Sequence, residues 1–342
     1  MVLNSHYASR SVTLLSSAAY ISSFRQLKRA LRPDKVTFLI MKTFKSAAAL
    51  VGILLVVLTL SSCLVPDASA QLYLKRSRPL TSTQHPYGEN VIQNMRIART
   101  RTPSLGTLVF VHGGAWMSGT GDLTNLPASL ASLSKYGWDI VSIDYRLAPE
   151  TDIDGMVSDI RAAVRYVRMN ARQLRVNAST VILAGHSSGA HLAAMATFGK
   201  PGVMEKPDAV ILLAAPADLA LFAADQSLVY GFAKSAVVNH ALGCGYEGPR
   251  DLLKCSSDDL RSSSPLFVLD KTAPPAYLAY GALDEIVPLS QGKALYEALV
   301  KNIGSSNVWF DVAERSGHAV EDANQSYIAL FASMVAKREL PE

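Results

Sequence analysis

Residues 185–191 read Gly-His-Ser-Ser-Gly-Ala-His, which sets serine hydroxyls beside imidazoles, the pair used in nucleophilic acyl chemistry. The spacing G-x-S-x-G centres on Ser187. A serine in that setting sits on a sharp strand-to-helix turn, and glycines two positions either side remove side chains that would clash. The flanks agree: "TVILA" before it reads as a strand and "AHLAAMATF" after it as an Ala-rich helix. Ser188 cannot take the central place without losing the glycine spacing. Its expected contribution is a backbone N–H at the helix start, aimed at a developing oxyanion. A second set of donors is expected from "LVFVHGGAW" (108–116), where a strand ends in His112, Gly113 and Gly114. Glycine amides carry no Cβ and can approach a substrate oxygen closely. Gly113, Gly114 and Ser188 are therefore the candidate oxyanion hole, with His112 orienting the loop. Trp116 and Met117 are expected to line the substrate pocket.

A serine needs a base, and the base needs an acid. In chains with this elbow the order is Ser, then Asp or Glu, then His. Of the seven histidines, His318 lies beyond the last apolar strand, in the polar loop "ERSGHAVED". His186 is adjacent to Ser187, on a strained turn expected to point its side chain elsewhere. His191 lies one helical turn on and is expected to pack or hydrogen-bond locally. For the acid, "AYLAYGALDEIVP" (276–288) ends a strand at Gly281 and supplies Asp284, which can hold the His318 tautomer. Glu285 and Asp218 are the alternatives. There is no H-E-x-x-H and no clustered Cys/His, so no metal and no cofactor is expected.

Several elements must carry these loops. Apolar runs at 91–98, 106–111, 139–145, 180–185, 209–215, 276–281 and 308–313 read as strands, the middle ones buried on both faces. Helices are expected at 122–136, 156–172, 189–199, 291–303 and 321–337; Met156, Ile160, Val164 and Val167 form one apolar stripe. Such alternation implies a mostly parallel sheet with helices on both faces. Residues 216–275 read as irregular, a small lid or cap inserted over the site. Cys244 and Cys255 within it are candidates for a local disulfide, two free thiols being the alternative.

Taken together, "HGGAW", "DYRLAPE" (144–150), "GHSSGAH", "GALDEIVP" and "SGHAVED" resemble α/β-hydrolases of the carboxylesterase type. The resemblance spans about 105–335 and is shared between two branches. One is the hormone-sensitive-lipase-like esterases; the other is the kynurenine-formamidase and feruloyl-esterase-like group. "HGGAW" and "GHSSGAH" lean to the second, because the first usually has glycine where Ala115 stands and an acidic residue where His186 stands. The resemblance implies an α/β-hydrolase domain over 91–342 and a serine esterase acting on a small-molecule ester. Arylformamidase, exopeptidase and a non-catalytic binding module are the competing readings. "DYRLAPE" is expected to be structural, with Arg146 and Glu150 bracing the loop beneath the site.

The charge of the chain is uneven. Of its net +5, residues 1–62 hold eight basic residues and one acid, which leaves 25 basic and 27 acidic residues in the other 280. A body at net −2 gives no electrostatic case for nucleic-acid binding. "MKTFK" (41–45) followed by the apolar run 46–60 reads as a signal peptide over 41–62. "LSSC" resembles a bacterial lipobox, which would place a lipid anchor on Cys63 and the protein on a membrane facing the periplasm. The alternatives are cleavage after Ala70 with soluble secretion, and an uncleaved anchor. Residues 1–40 match no targeting signal, so translation is expected to begin at Met41; residues 63–90 are expected to be a tether and leading strands.

Overall fold

The computed structural model describes residues 84–101, 103–198 and 206–337. The signal peptide, Cys63 and most of the tether lie outside them. The strands are β1 (His85–Pro86), β2 (Asn94–Ala98), β3 (Gly106–Val111), β4 (Trp138–Ile143), β5 (Val181–His186), β6 (Ala209–Leu213), β7 (Leu228–Val229), β8 (Phe232–Ala233), β9 (Ala276–Gly281) and β10 (Val308–Ala313). The helices around the sheet and site include α1 (Ile153–Met169), α2 (Ser188–Phe198), α3 (Leu219–Ala224), α4 (Lys234–Leu242), α5 (Ser257–Ser262), α6 (Pro265–Val268), α7 (Leu289–Ile303) and α8 (Gln325–Lys337).

Eight strands form one sheet in the order β1-β2-β4-β3-β5-β6-β9-β10. The pairs β1–β2 and β2–β4 are antiparallel and the rest are parallel. The runs in β3, β4, β6 and β9 are buried at every position, as strands covered on both faces must be. Alternate residues serve opposite faces. Val109, Leu183 and Leu212 face α1, α2 and α7, whereas Phe110, Ile182 and Ile211 face the 123–136 stretch and α8. This is the α/β-hydrolase arrangement that the motifs imply.

Register decides where the loops emerge. Val111 pairs with Gly185, His186 with Leu213, and Gly281 with Ala313. The ends of β3, β5, β9 and β10 therefore lie along one edge of the sheet. The chain leaves β3 toward β4, while β5 lies on the other side of β3. That reversal of strand order is a topological switch point, where open α/β sheets form a crevice at the carboxyl ends of their strands.

Three expectations need correction. The stretch 122–136 is not one helix: 3₁₀ turns at Leu123–Asn125 and Ser132–Tyr136 flank a short α segment, Ala128–Ala131. Pro127 causes the break, since the residue before a proline is pushed out of the helical region, and Leu126 is extended. The last helix starts at Gln325 rather than 321, because the Asn324 side chain accepts the Tyr327 N–H and caps it. Residues 216–275 are not irregular. They fold into α3, the β7–β8 hairpin, α4, α5 and α6, short elements whose apolar residues show no sustained period. Cys244 and Cys255 are disulfide-bonded, with Cα atoms 5.1 Å apart.

Candidate active site

Strand β5 delivers Ser187 at φ 55°, a left-handed conformation that a non-glycine residue holds only when its surroundings fix it. Two backbone bonds do so: Ser187 N–H donates to the Leu213 carbonyl (2.8 Å), and the His191 N–H donates to the Ser187 carbonyl (3.0 Å). The flanking glycines are steric necessities. A Cβ on Gly189 would lie 2.2 Å from the Val111 carbonyl oxygen, and one on Gly185 would lie 2.3 Å from that of Gly189. Ser188 opens α2, so its N–H has no acceptor within the helix.

The loop after β3 packs directly on this turn. A Cβ on Gly113 would lie 3.2 Å from the Ser187 Cβ. His112 is buried and stacks on Tyr145 with ring centroids 4.4 Å apart. Its Nδ1–H donates to the Gly113 carbonyl (2.8 Å), while its own carbonyl accepts the Tyr145 hydroxyl (2.8 Å). Burial lowers the His112 pKa, which keeps the ring a neutral brace. The Gly114 carbonyl is turned inward, accepting the Met117 N–H (3.1 Å), the Ser118 N–H (3.0 Å) and the Ser118 hydroxyl (3.0 Å).

The remaining two groups come from the ends of β9 and β10. The His318 Nε2 lies 2.8 Å from the Ser187 Oγ, and its Nδ1 lies 2.8 Å from an Asp284 carboxylate oxygen. With Nδ1–H donating to the carboxylate, Nε2 is left to accept the serine proton. The other Asp284 oxygen accepts the N–H groups of Ile286 (2.8 Å) and Val287 (2.9 Å). The Asp284 side chain is fully buried, whereas His318 keeps 17% of its side chain exposed. A Cβ on Gly281 would lie 2.1 Å from the Gly317 carbonyl oxygen, so glycine there lets the histidine loop settle against β9.

The alternative acids have other work. Asp218 caps α3, accepting the Ala220 (2.9 Å) and Leu221 (3.1 Å) N–H groups. Glu285 is exposed, and its carbonyl accepts the Ser227 hydroxyl (3.1 Å) from the cap. Arg146 forms a bidentate pair with Asp159 of α1 (2.9 and 2.6 Å), and Glu150 accepts from Asn90 (2.7 Å). The two brace separate neighbours. Asp159 had a signal in the sequence: a carboxylate beside the apolar stripe of a helix needs a partner once buried.

Three expectations about side chains change. His186 does not point away from the site; its Nε2–H donates to the His318 carbonyl (2.8 Å). Desolvation, helped by the neighbouring His318, pushes its pKa down to about 4. His191 does not bond locally; its Nε2–H donates to the carbonyl of Ser263 in the cap (2.8 Å), and its Nδ1 accepts the Trp116 indole N–H (3.2 Å). Burial pushes its pKa to about 4 as well. Trp116 is 1% exposed and stands edge-on to His191 and Phe222, so it packs inside the protein rather than presenting an open face. Met117 is partly buried beside it. Nothing in the sequence pairs residue 116 with 191, or 191 with 263, because those contacts arise only once the sheet has assembled.

A family model described as BD-FAE matches residues 95–299. Esterase LipC of Mycobacterium tuberculosis (strain ATCC 25618 / H37Rv) is 26% identical over 263 residues, which are 73% of this chain and 60% of that protein. Kynurenine formamidase of Danio rerio is 33% identical over 125 residues, 35% of this chain and 41% of that protein. The chain thus spans less than two thirds of the length of either curated relative. Among solved structures, a truncated form of carbohydrate esterase from gut microbiota matches with a TM-score of 0.61 at 21% identity, over 74% of this chain and 95% of that one. That likeness is one of fold.

Proposed function

The chain belongs to the BD-FAE family, and on that premise we propose that it is a serine hydrolase cleaving carboxylic esters of small or medium acyl groups. The observation that carries this reading is the relay Asp284–His318–Ser187, with both imidazole contacts at 2.8 Å. As Ser187 Oγ attacks the ester carbonyl carbon, His318 Nε2 takes its proton and Asp284 stabilises the imidazolium. The carbonyl oxygen becomes an oxyanion held by the Gly113, Gly114 and Ser188 amides. When the C–O bond breaks, His318 returns the proton to the departing alcohol. Water, deprotonated by His318, then attacks the acyl-enzyme, releasing the carboxylic acid and restoring the Ser187 hydroxyl.

A second reading is supported by the kynurenine formamidase relative. The same steps would cleave a formamide, with an amine as leaving group. The experiment that tests both is Ser187→Ala, assayed with p-nitrophenyl esters of graded chain length and with N-formylkynurenine. Wild type is expected to hydrolyse the short esters and to be labelled at Ser187 by a fluorophosphonate. The variant is expected to lose about 10⁴- to 10⁶-fold in kcat and all labelling. An unlabelled, inactive wild type would favour a binding module, and an undiminished variant would remove Ser187 from the nucleophile role.

A further inference from the structure

The loop that carries the two glycine amides is strained beyond its glycines. Gly114, Ala115 and Trp116 are consecutive residues with φ of 132°, 54° and 60°. Glycine tolerates that region, but alanine and tryptophan in it are strained and persist only where the surroundings impose them. Part of the restraint is backbone: the Trp116 carbonyl accepts the Ala148 N–H at 3.0 Å. Its side-chain restraint is the indole N–H bond to His191 Nδ1 at 3.2 Å.

His191 joins three parts of the site. Its backbone N–H is bonded to Ser187, its Nδ1 to Trp116 of the strained loop, and its Nε2 to Ser263 of the cap. The ring is fully buried, and it takes no part in the proton transfers described above. Burial keeps it neutral, so the Nδ1 lone pair stays available.

We propose that His191 is a positioning residue for the oxyanion hole. It holds Trp116, and through Trp116 the Gly113 and Gly114 amides, at their working distance from Ser187, and it ties that distance to the seating of the cap at Ser263. This rests on the serine-hydrolase reading. Oxyanion donors act through pre-organised placement, and loss of one donor outright costs about 10²- to 10³-fold in kcat. Loosening two donors without deleting either should cost about tenfold.

The test uses Trp116→Phe, which removes the indole N–H together with part of the buried ring, alongside His191→Leu, the double variant and His191→Gln, whose amide offers an acceptor and a donor and leaves the indole in place. Each is measured for kcat and KM on p-nitrophenyl acetate, for inhibition by a trifluoromethyl ketone that forms an oxyanion on Ser187, and for thermal unfolding. Expected are a roughly tenfold fall in kcat for Trp116→Phe and His191→Leu, KM within about threefold, and ketone affinity weakened in step with kcat. The double variant should be no worse than His191→Leu, and His191→Gln should recover most of the loss. Unchanged kcat and ketone affinity in a folded Trp116→Phe protein overturns the proposal, even if His191→Leu fails to fold. Multiplying effects in the double variant overturn the claim that the two residues act through one bond. Failure of wild type to react with a fluorophosphonate overturns the hydrolase reading instead, which separates the two failures.

Discussion

The four strand-end loops and the cap of residues 216–275 meet at one site but are held by different means. The loops take their form from backbone bonds and close glycine contacts, as at Ser187 to Leu213 and Gly281 to Gly317. The cap is attached by side chains: Ser227 and the buried Lys234 reach the Glu285 carbonyl, His191 reaches Ser263, and Gln291 of α7 accepts the Ala217 and Asp218 N–H groups at its root. Lys234 also pairs with Asp225 at 2.8 Å and lies over the Phe222 ring. For the proposed hydrolase, backbone geometry sets the spacing on which acyl transfer depends. Side-chain attachment leaves the cap free to differ in shape away from the His191–Ser263 contact, while the backbone around Ser187 stays put.

The sharpest way to break this contrast is inside the loops. Asp284→Asn should keep the fold and lower kcat on p-nitrophenyl acetate by about 10⁴-fold, since the amide stabilises the wrong imidazole tautomer. Glu285→Gln, one residue on, should stay within twofold of wild type. Equal losses in the two variants, measured side by side, would dissolve the distinction between the buried and exposed acids.

A smaller effect is expected from the cap. Removing the Cys244–Cys255 bond by the paired change to serine should lower unfolding free energy by about 2–4 kcal/mol in urea titrations. Hydrolysis of the short acetate ester should change by less than threefold. A loss of acetate hydrolysis comparable to that of Asp284→Asn would mean that the cap also fixes the reacting atoms.

The smallest effect, per unit of pH, comes from the histidines on each side of the contrast. His186 braces a strand-end loop and His191 the cap, and burial lowers both to about 4 from the ordinary 6.5. Between those values the unfolded chain binds the more protons, so acid favours unfolding. Their contribution is complete above pH 6.5 and declines toward pH 4 by up to about 1.4 kcal/mol per pH unit for each histidine. His186→Asn should remove about half of that slope in denaturation curves taken from pH 7 to 4.5. An unaltered slope would mean that His186 binds protons equally in the folded and unfolded chain.

How much was legible in the sequence divides along the same line. The elbow, the HGG loop, the Asp284 segment and His318 are short local signals, each at the end of an apolar run, and strand order brings them together. The cap was legible as an insertion over 216–275, but its elements were not, because its helices are four to nine residues long and take their stability from tertiary packing. The second meaning of "GHSSGAH" was hidden for a different reason. His186 and His191 sit within four residues of the nucleophile, yet their partners lie 72 to 132 positions away. A motif displays its own residues, not what they will touch.

The cap is also the connection between β6 and β9, which are neighbours in the sheet. Loop closure grows only with the logarithm of length, about 0.6 kcal/mol for each doubling. An insertion there can lengthen, shorten or be replaced for little loss of stability, while a methyl group added at Gly189 or Gly281 would collide with backbone. In evolutionary terms the strand-end geometry is locked and the cap is left open to change, with both written into one chain at neighbouring strand ends.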